Sequence, residues 1–286
     1  MMLKKNVKTQ KKLHTNMWRK VALSAWNRPN EPVIYSRVAL NPEPALKFLE
    51  TLNKNSTNKI TITHYLGKVC GILLEKYDDL NSTILYKNAY VREGSDIFFH
   101  ASLIDKYGKE NLSGAKIENC AQKTIEEIAN ELNHQNSKVK SGEDVTFDQI
   151  KKVMAFIPIF ISGFIIKLTA FIQYRLNIWS PLLGTKKDTF GSMMITNIGS
   201  LGIEEAFVPF SHYTNVHSIC ALGKISEAPV VREGELKVGL VQYACWTLDH
   251  RVIDGSNAAK MLESLKLYFE NPELIMDYDQ KNKLRK

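Results

Sequence analysis

The chain has 286 residues, 44% of them hydrophobic and 24% charged, with only 15 Gly and 9 Pro. That excludes a collagen-like, low-complexity or globally disordered chain, and leaves room for one large domain or two small ones with a proper core. The net charge of +8 is concentrated in two stretches: residues 1–20 carry Lys4, Lys5, Lys8, Lys11, Lys12, Arg19 and Lys20 with no acid, and residues 151–187 carry Lys151, Lys152, Lys167, Arg175, Lys186 and Lys187, again with no acid. The remainder is mildly acidic. Such stretches are ordinarily a solvated tail and a solvated face; an anionic membrane surface or a nucleotide phosphate is the sharper reading. No finger, P-loop or RNA-binding signature points to nucleic acid. Cys70, Cys120, Cys220 and Cys245 form no C-x-x-C pair and lack zinc-ligand spacing. They predict buried, inert thiols in a reducing compartment, and no metal. The basic N-terminus has no apolar run behind it, so no secretory signal is expected.

In chain order, residues 1–16 read as a disordered basic arm. Asn41-Pro42-Glu43 starts a helix that runs through Leu46 and Leu49 and ends in the polar loop 53–59. A second helix is predicted over Thr63–Tyr77. Ile84–Tyr86 and Ala89–Arg92 form a hairpin, and Asp96–Leu103 another strand. Thr124 caps a helix whose Ile125, Ile128, Ala129 and Leu132 share one face. Later strands are Ser192–Asn197, Val216–Lys224 and Val238–Leu248; the last has no charge, which suits a strand buried on both faces. A final helix begins near Ser256, with Ala258, Met261, Leu262, Leu265, Tyr268 and Phe269 on its apolar stripe, and stops at Asn271-Pro272. Strands and helices mix without strict alternation, which predicts a mixed sheet with helices packed on it.

Val153–Ile166 has no charge, and after Lys167 the chain is uncharged again to Tyr174. A membrane span needs about 20 apolar residues, and Pro158 and Lys167 interrupt this one. Three readings stay open: burial in the protein's own core or subunit interface, association with a membrane surface, or an acyl-chain groove. Phe98-Phe99 and the phenylalanines from Phe156 to Phe171 read as core.

The strongest chemical signal is Trp246-Thr247-Leu248-Asp249-His250-Arg251-Val252-Ile253-Asp254-Gly255. It places His250 just beyond a buried strand, at an edge where catalytic groups tend to sit. Gly255 allows a tight turn. Asp254 either pairs with Arg251 or fixes the loop through backbone amides. The arrangement is a general base on a rigid mount. His64, His100, His134, His212 and His217 show no partner pattern and read as structural or surface residues.

These residues closely resemble the Asp-His-Arg-x-x-Asp-Gly signature of the acyltransferase catalytic domain of 2-oxo acid dehydrogenase complexes. The wider superfamily, which includes chloramphenicol acetyltransferase, has His-x-x-x-Asp-Gly. Upstream, Met194-Ile195-Thr196-Asn197-Ile198-Gly199 resembles the family's T-[IL]-[ST]-N-[LI]-G segment. Ala206-Phe207-Val208-Pro209 resembles its F-x-P turn, Ala221-Leu222-Gly223-Lys224-Ile225 its I-L-G-x-G-x-I strand, and Trp18-Arg19-Lys20-Val21-Ala22 its opening helix. The similarity covers residues 17–145 weakly and 188–275 clearly.

The resemblance implies a chloramphenicol acetyltransferase-like α/β (α+β two-layer) fold, a mixed sheet covered by helices, assembled as a homotrimer with each active site between subunits. It implies His250 as the base that takes a thiol proton, Thr196 as donor to the oxyanion, and Asp254 as a loop-holding residue paired with Arg19. Arg251 and Gly255 support the site, while Asn197 and Gly199 shape the turn. Coenzyme A enters as a thioester co-substrate, with no metal and no lipoyl group on this chain. The core signature starts within 20 residues of the first Met, so a stand-alone form is expected, without lipoyl or peripheral subunit-binding domains. The domain is expected over 17–275, with an apolar insertion at 147–187 and a C-terminal tail at 276–286. Asn111–Glu118 departs from the family's G-L-x-V-P-V-I segment. The expected function is coenzyme A-dependent acyl transfer to an unnamed acceptor in the cytoplasm, with an anionic membrane surface as a further partner. A non-catalytic trimeric scaffold and a membrane-peripheral fatty-acyl transferase are the alternatives.

Overall fold

The computed structural model describes residues 32–85, 88–104, 110–141, 159–180, 187–211 and 214–284. The basic arm, Arg19 and the first part of the apolar insertion lie outside the described residues. The chain divides at residue 32, and every described helix and strand belongs to the unit from Val33 onward.

Strand β1 (Val33–Leu40) leads into helix α1 (Glu43–Asn53), where Pro42 enters the first turn and the Asn41 Oδ1 accepts from the Glu43 amide at 3.2 Å. Helix α2 (Ile62–Lys76) starts at a capping box: the Thr61 amide donates to Nδ1 of His64 at 3.0 Å. A small hairpin, β2 (Ser82–Leu85) and β3 (Asn88–Val91), precedes strands β4 (Ile97–Ile104) and β5 (Glu110–Ile117). Helix α3 (Ile125–Ser141) is capped by Thr124 as its sequence predicts, and Glu127 completes a capping box by accepting from the Thr124 amide. Helix α4 (Ile159–Ala170) continues into a π-helical turn, Phe171–Arg175. Strands β6 (Met193–Asn197), β7 (Ser218–Leu222), β8 (Ser226–Arg232) and β9 (Glu235–Asp249) follow, then helices α5 (Gly255–Glu270) and α6 (Pro272–Lys283).

The main sheet among the described residues has the order β1-β9-β7-β6-β4-β5, with β8 paired to the first half of β9. β6 runs parallel to β4 and β7, and every other pairing in this sheet is antiparallel. The period of two sorts side chains onto faces. Ile97, Phe99, Met193, Ile195, Cys220, Leu222, Ala244, Trp246 and Leu248 face the helices in one core that includes Leu66, Val69, Leu73, Ile128, Leu265 and Phe269. The other face carries Phe98, Met194 and Ile219, covered by Phe190, Val208 and Phe210. Helices on one face of a mixed sheet are the expected two-layer α+β architecture.

Three features differ from expectation. The predicted tail at 276–286 belongs largely to α6: Asn271-Pro272 is a joint between two helices, because Pro is tolerated in a first turn and Ile275 finds a buried site. Asp279 of α6 binds the fully buried Lys68 at 2.5 Å, and Lys68 also donates to the carbonyls of Ala121 (2.6 Å) and Lys123 (2.8 Å). Phe164 and Phe171 of the insertion are not core: they are 66% and 51% exposed, since no described strand or helix covers them, while Phe156 lies outside the described residues. β1, β5 and β8 have no counterpart among the predicted elements. All four cysteines are free and buried, as expected.

Candidate active site

β9 ends at Asp249, and a short turn carries His250 before α5 begins. The amides of Val252 and Ile253 both donate to the Asp249 carbonyl, at 3.1 and 3.0 Å, which folds the chain back over itself. That return places the Ile253 carbonyl 3.0 Å from Nδ1 of His250. A carbonyl oxygen only accepts, so Nδ1 carries the proton and Nε2 of the neutral ring holds the free lone pair. The imidazole is oriented by backbone and solvent-exposed.

Asp254 is the N-cap of α5, its Oδ1 accepting from the Asn257 amide at 2.8 Å. Of the two arrangements open to it, the backbone one holds; Arg251 turns instead to Asp249, with Nε–Oδ1 at 2.9 Å and Nη2–Oδ2 at 2.5 Å. Gly255 has neither a positive φ nor a crowded Cβ position, so its place does not require glycine; the turn before it is closed by the Asp249 carbonyl, and Asp254 caps the helix. Asn257 Nδ2 also donates to Asp79, and a cavity of about 200 Å³ beside the loop is lined by Tyr77, Asp79, Ile253, Asn257 and Met261.

Sequence reasoning missed the residues beneath His250. His217, at the start of β7, is 2% exposed and its Nδ1 lies 2.8 Å from Oδ2 of Asp249. The Asp249 amide in turn donates to the His217 carbonyl at 3.0 Å. Burial pushes the Asp249 carboxyl up, but the hydrogen bonds from His217 and Arg251 outweigh it and hold the group well below the usual carboxylate range. The only available signal was an acid immediately before the histidine; the partner lies 32 residues away in sequence.

Thr196 sits in β6 on the helix-free face, beside Ala221 of β7. Asn197 holds the turn after it: Nδ2 donates to Thr63 Oγ1 at 2.8 Å, and its Oδ1 accepts from the Ser200 amide at 3.3 Å. A Cβ on Gly199 would stand 2.6 Å from the Gly223 carbonyl, so close approach of the two turns requires glycine there. His100 of β4 lies one step past the Phe99↔Ile195 pair of β4 and β6, and so beside Thr196; burial lowers its pKa.

One chain does not bring Thr196 and His250 together. Thr196 is level with Ala221, which is level with Cys245, while His250 lies five residues further along β9 and two strands across. At roughly 3.3 Å per residue and roughly 4.8 Å per strand, the separation is roughly 19 Å. Among the described residues no group of His, Cys, Asp and Glu side chains can hold a metal ion.

The model of the 2-oxoacid dehydrogenases acyltransferase (catalytic domain) matches residues 8–153 and 184–277. The chain belongs to this acyltransferase family. A Bacillus subtilis relative, the dihydrolipoyllysine-residue acetyltransferase component of the pyruvate dehydrogenase complex, is 26% identical over 218 residues, 76% of this chain and 39% of that protein. The chain thus spans about two fifths of that relative's length. The same component from Staphylococcus aureus is 34% identical over 82 residues, 29% of this chain and 19% of that one. Among solved structures, a probable dihydrolipoamide acetyltransferase from Listeria monocytogenes has a TM-score of 0.62 at 18% identity, covering 91% of this chain and 94% of that one. The cubic core of the pyruvate dehydrogenase multienzyme complex has a TM-score of 0.63 at 18% identity, covering 94% of each. The acyltransferase family match skips residues 154–183, which fall within the apolar insertion.

Proposed function

We propose that this acyltransferase-family chain transfers an acyl group between thiols, with coenzyme A as one thioester partner. The observation that carries the reading is the hydrogen bond from His250 Nδ1 to the Ile253 carbonyl. It leaves Nε2 as a base at an exposed, rigidly mounted position. In the proposed step, the incoming thiol gives its proton to Nε2, and the thiolate attacks the thioester carbonyl. The tetrahedral oxyanion receives a hydrogen bond from the Thr196 hydroxyl, a kind of donor worth about 3 kcal/mol. Collapse expels the second thiolate, which takes the proton back from the imidazolium. A thiol near pKa 8.5 and an imidazole near about 6.5 are matched well enough for such transfer. In the Azotobacter vinelandii dihydrolipoamide acetyltransferase, a serine, a histidine and an asparagine were investigated for their catalytic role, the last two spaced as His250 and Asp254 are here.

The separation of Thr196 from His250 within one chain supports a site completed by a second copy, in keeping with the expected trimer. Arg19, the expected partner of Asp254, belongs to the same proposal. His250→Ala is expected to lower acyl transfer about 10²-fold with folding retained. Mixing His250→Ala and Thr196→Ala chains under subunit exchange is expected to restore activity in those mixed assemblies that pair an intact His250 with an intact Thr196. An unchanged rate in His250→Ala overturns the base assignment, and a fully active monomer in light scattering overturns the shared site.

A further inference from the structure

We propose that the exposed apolar face of α4 and of the turn that follows it docks on an anionic phospholipid surface, lying flat among the headgroups. This segment is additional to the family framework, since the matched residues stop at 153 and resume at 184. In α4, Phe164 (66% exposed), Ile165 (37%), Leu168 (45%) and Phe171 (51%) follow one another at spacings of one, three and three, which puts them on one helical face. Ile178 (54%) and Trp179 (41%) continue the exposed apolar surface beyond the π-helical turn. The inner side is anchored: Tyr174 is desolvated beside the Arg92–Asp188 ion pair, and the turn packs on β2.

Charge decides what covers this face. From 151 to 187 the chain has six basic residues and no acid. Lys167, Arg175 and Lys187 are described and exposed. A two-fold contact between copies through this face would set cation against cation with no acid in the segment to pair them, because it matches each patch with itself. An anionic headgroup layer neutralises the same charges, at about fivefold in partition per Lys or Arg near the surface. The hydrophobic side chains add buried apolar area at the acyl boundary. α4 and its π-helical turn together reach only about 25 Å, short of the roughly 30 Å hydrocarbon core, and no helix among the described residues is long and apolar enough to cross a membrane. The geometry therefore suits lying on a bilayer and not spanning it.

The test is flotation of the full chain with phosphatidylcholine vesicles, with and without phosphatidylglycerol, at low and high salt. Two variants accompany it: Phe164→Glu with Leu168→Glu, and Lys167→Glu with Arg175→Glu. All four positions are exposed, and retained circular dichroism verifies that the variants fold. Flotation is expected with anionic vesicles at low salt, with a sharp loss at high salt and little with phosphatidylcholine alone. The apolar pair should abolish flotation, and the charge-reversed pair should lower partition by at least about 25-fold at fivefold for each cation removed. No flotation at low salt, or equal flotation with both vesicle types, overturns the proposal. So does a drop in light-scattering mass of the apolar variant without any change in flotation, which would make the face a contact between copies.

Discussion

Replacing Asp249 by Asn tests whether His250 stands on a charged support. The carboxylate is 5% exposed and accepts from Nδ1 of His217 (2.8 Å), the Arg251 amide (3.0 Å) and the Arg251 guanidinium. An amide offers one accepting oxygen and one donating nitrogen, so it cannot serve His217 and Arg251 together in their present states. If its oxygen stays on Arg251, its NH₂ faces Nδ1 of His217. That ring must then switch tautomer and aim a donor from Nε2, an atom that is buried and has no hydrogen-bond partner among the described residues. Breaking a buried charged network costs about 3–5 kcal/mol. The Arg251 side chain is 52% exposed, so its share is discounted to that of a surface pair, well under about 1 kcal/mol. The expected loss is therefore about 2–3 kcal/mol at neutral pH, read by urea unfolding at fixed protein concentration. The pH dependence has a definite sign. The folded carboxyl is held below its unfolded value near about 3.9, so its stabilisation is complete above that pH and is lost as pH falls through the folded value. The difference between wild type and variant should thus be flat above about pH 5 and shrink in strong acid. A loss under about 1 kcal/mol at neutral pH, or a difference that ignores acid, would refute the reasoning. Acyl transfer should fall with the variant because the carboxylate holds the Arg251 amide and guanidinium, next to His250 in the turn.

Gly223→Ala should be among the most damaging single changes: its Cβ would stand 1.8 Å from the Glu204 carbonyl, and a cost of about 3 kcal/mol should lower Tm by roughly 6 °C or more in a thermal melt. Gly202→Ala has open space but a φ of 80°, so its cost should be about 1 kcal/mol, from backbone strain alone. Lys68→Met keeps the stem but leaves the Ala121 and Lys123 carbonyls unpaired, while the partly exposed Asp279 turns to water; urea unfolding should register a loss of about 2–4 kcal/mol. Burial pushes the thiols of Cys70, Cys120 and Cys220 up, so these cysteines should resist alkylation at pH 8 until denaturant is added, with labelling counted by intact mass.

What the sequence by itself determined was local or periodic. Thr124 announced a capped helix, the run from Val238 to Leu248 announced a strand, buried on both faces from Ala244 to Leu248 although Val238 is exposed, and Asp249–Gly255 announced a histidine at a strand end. In each, the physical cause lies within a few residues: a side chain meeting an orphan amide, or a period of two. β8 has Pro229 at its centre, and Pro is tolerated there because the strand pairs on one side only among the described residues. α6 escaped because Asn271-Pro272 is equally an end and a beginning, and only the buried sites for Ile275 and the Lys68–Asp279 pair chose between them. The support of His250 was decided by tertiary structure alone. His217 becomes the partner of Asp249 only when β7 pairs antiparallel with β9 and brings two distant residues to the same end of the sheet. The same register carries Thr196 to the opposite end, roughly 19 Å away. No local pattern encodes that distance: it follows from strand order and direction, which are set by how the whole apolar face is buried.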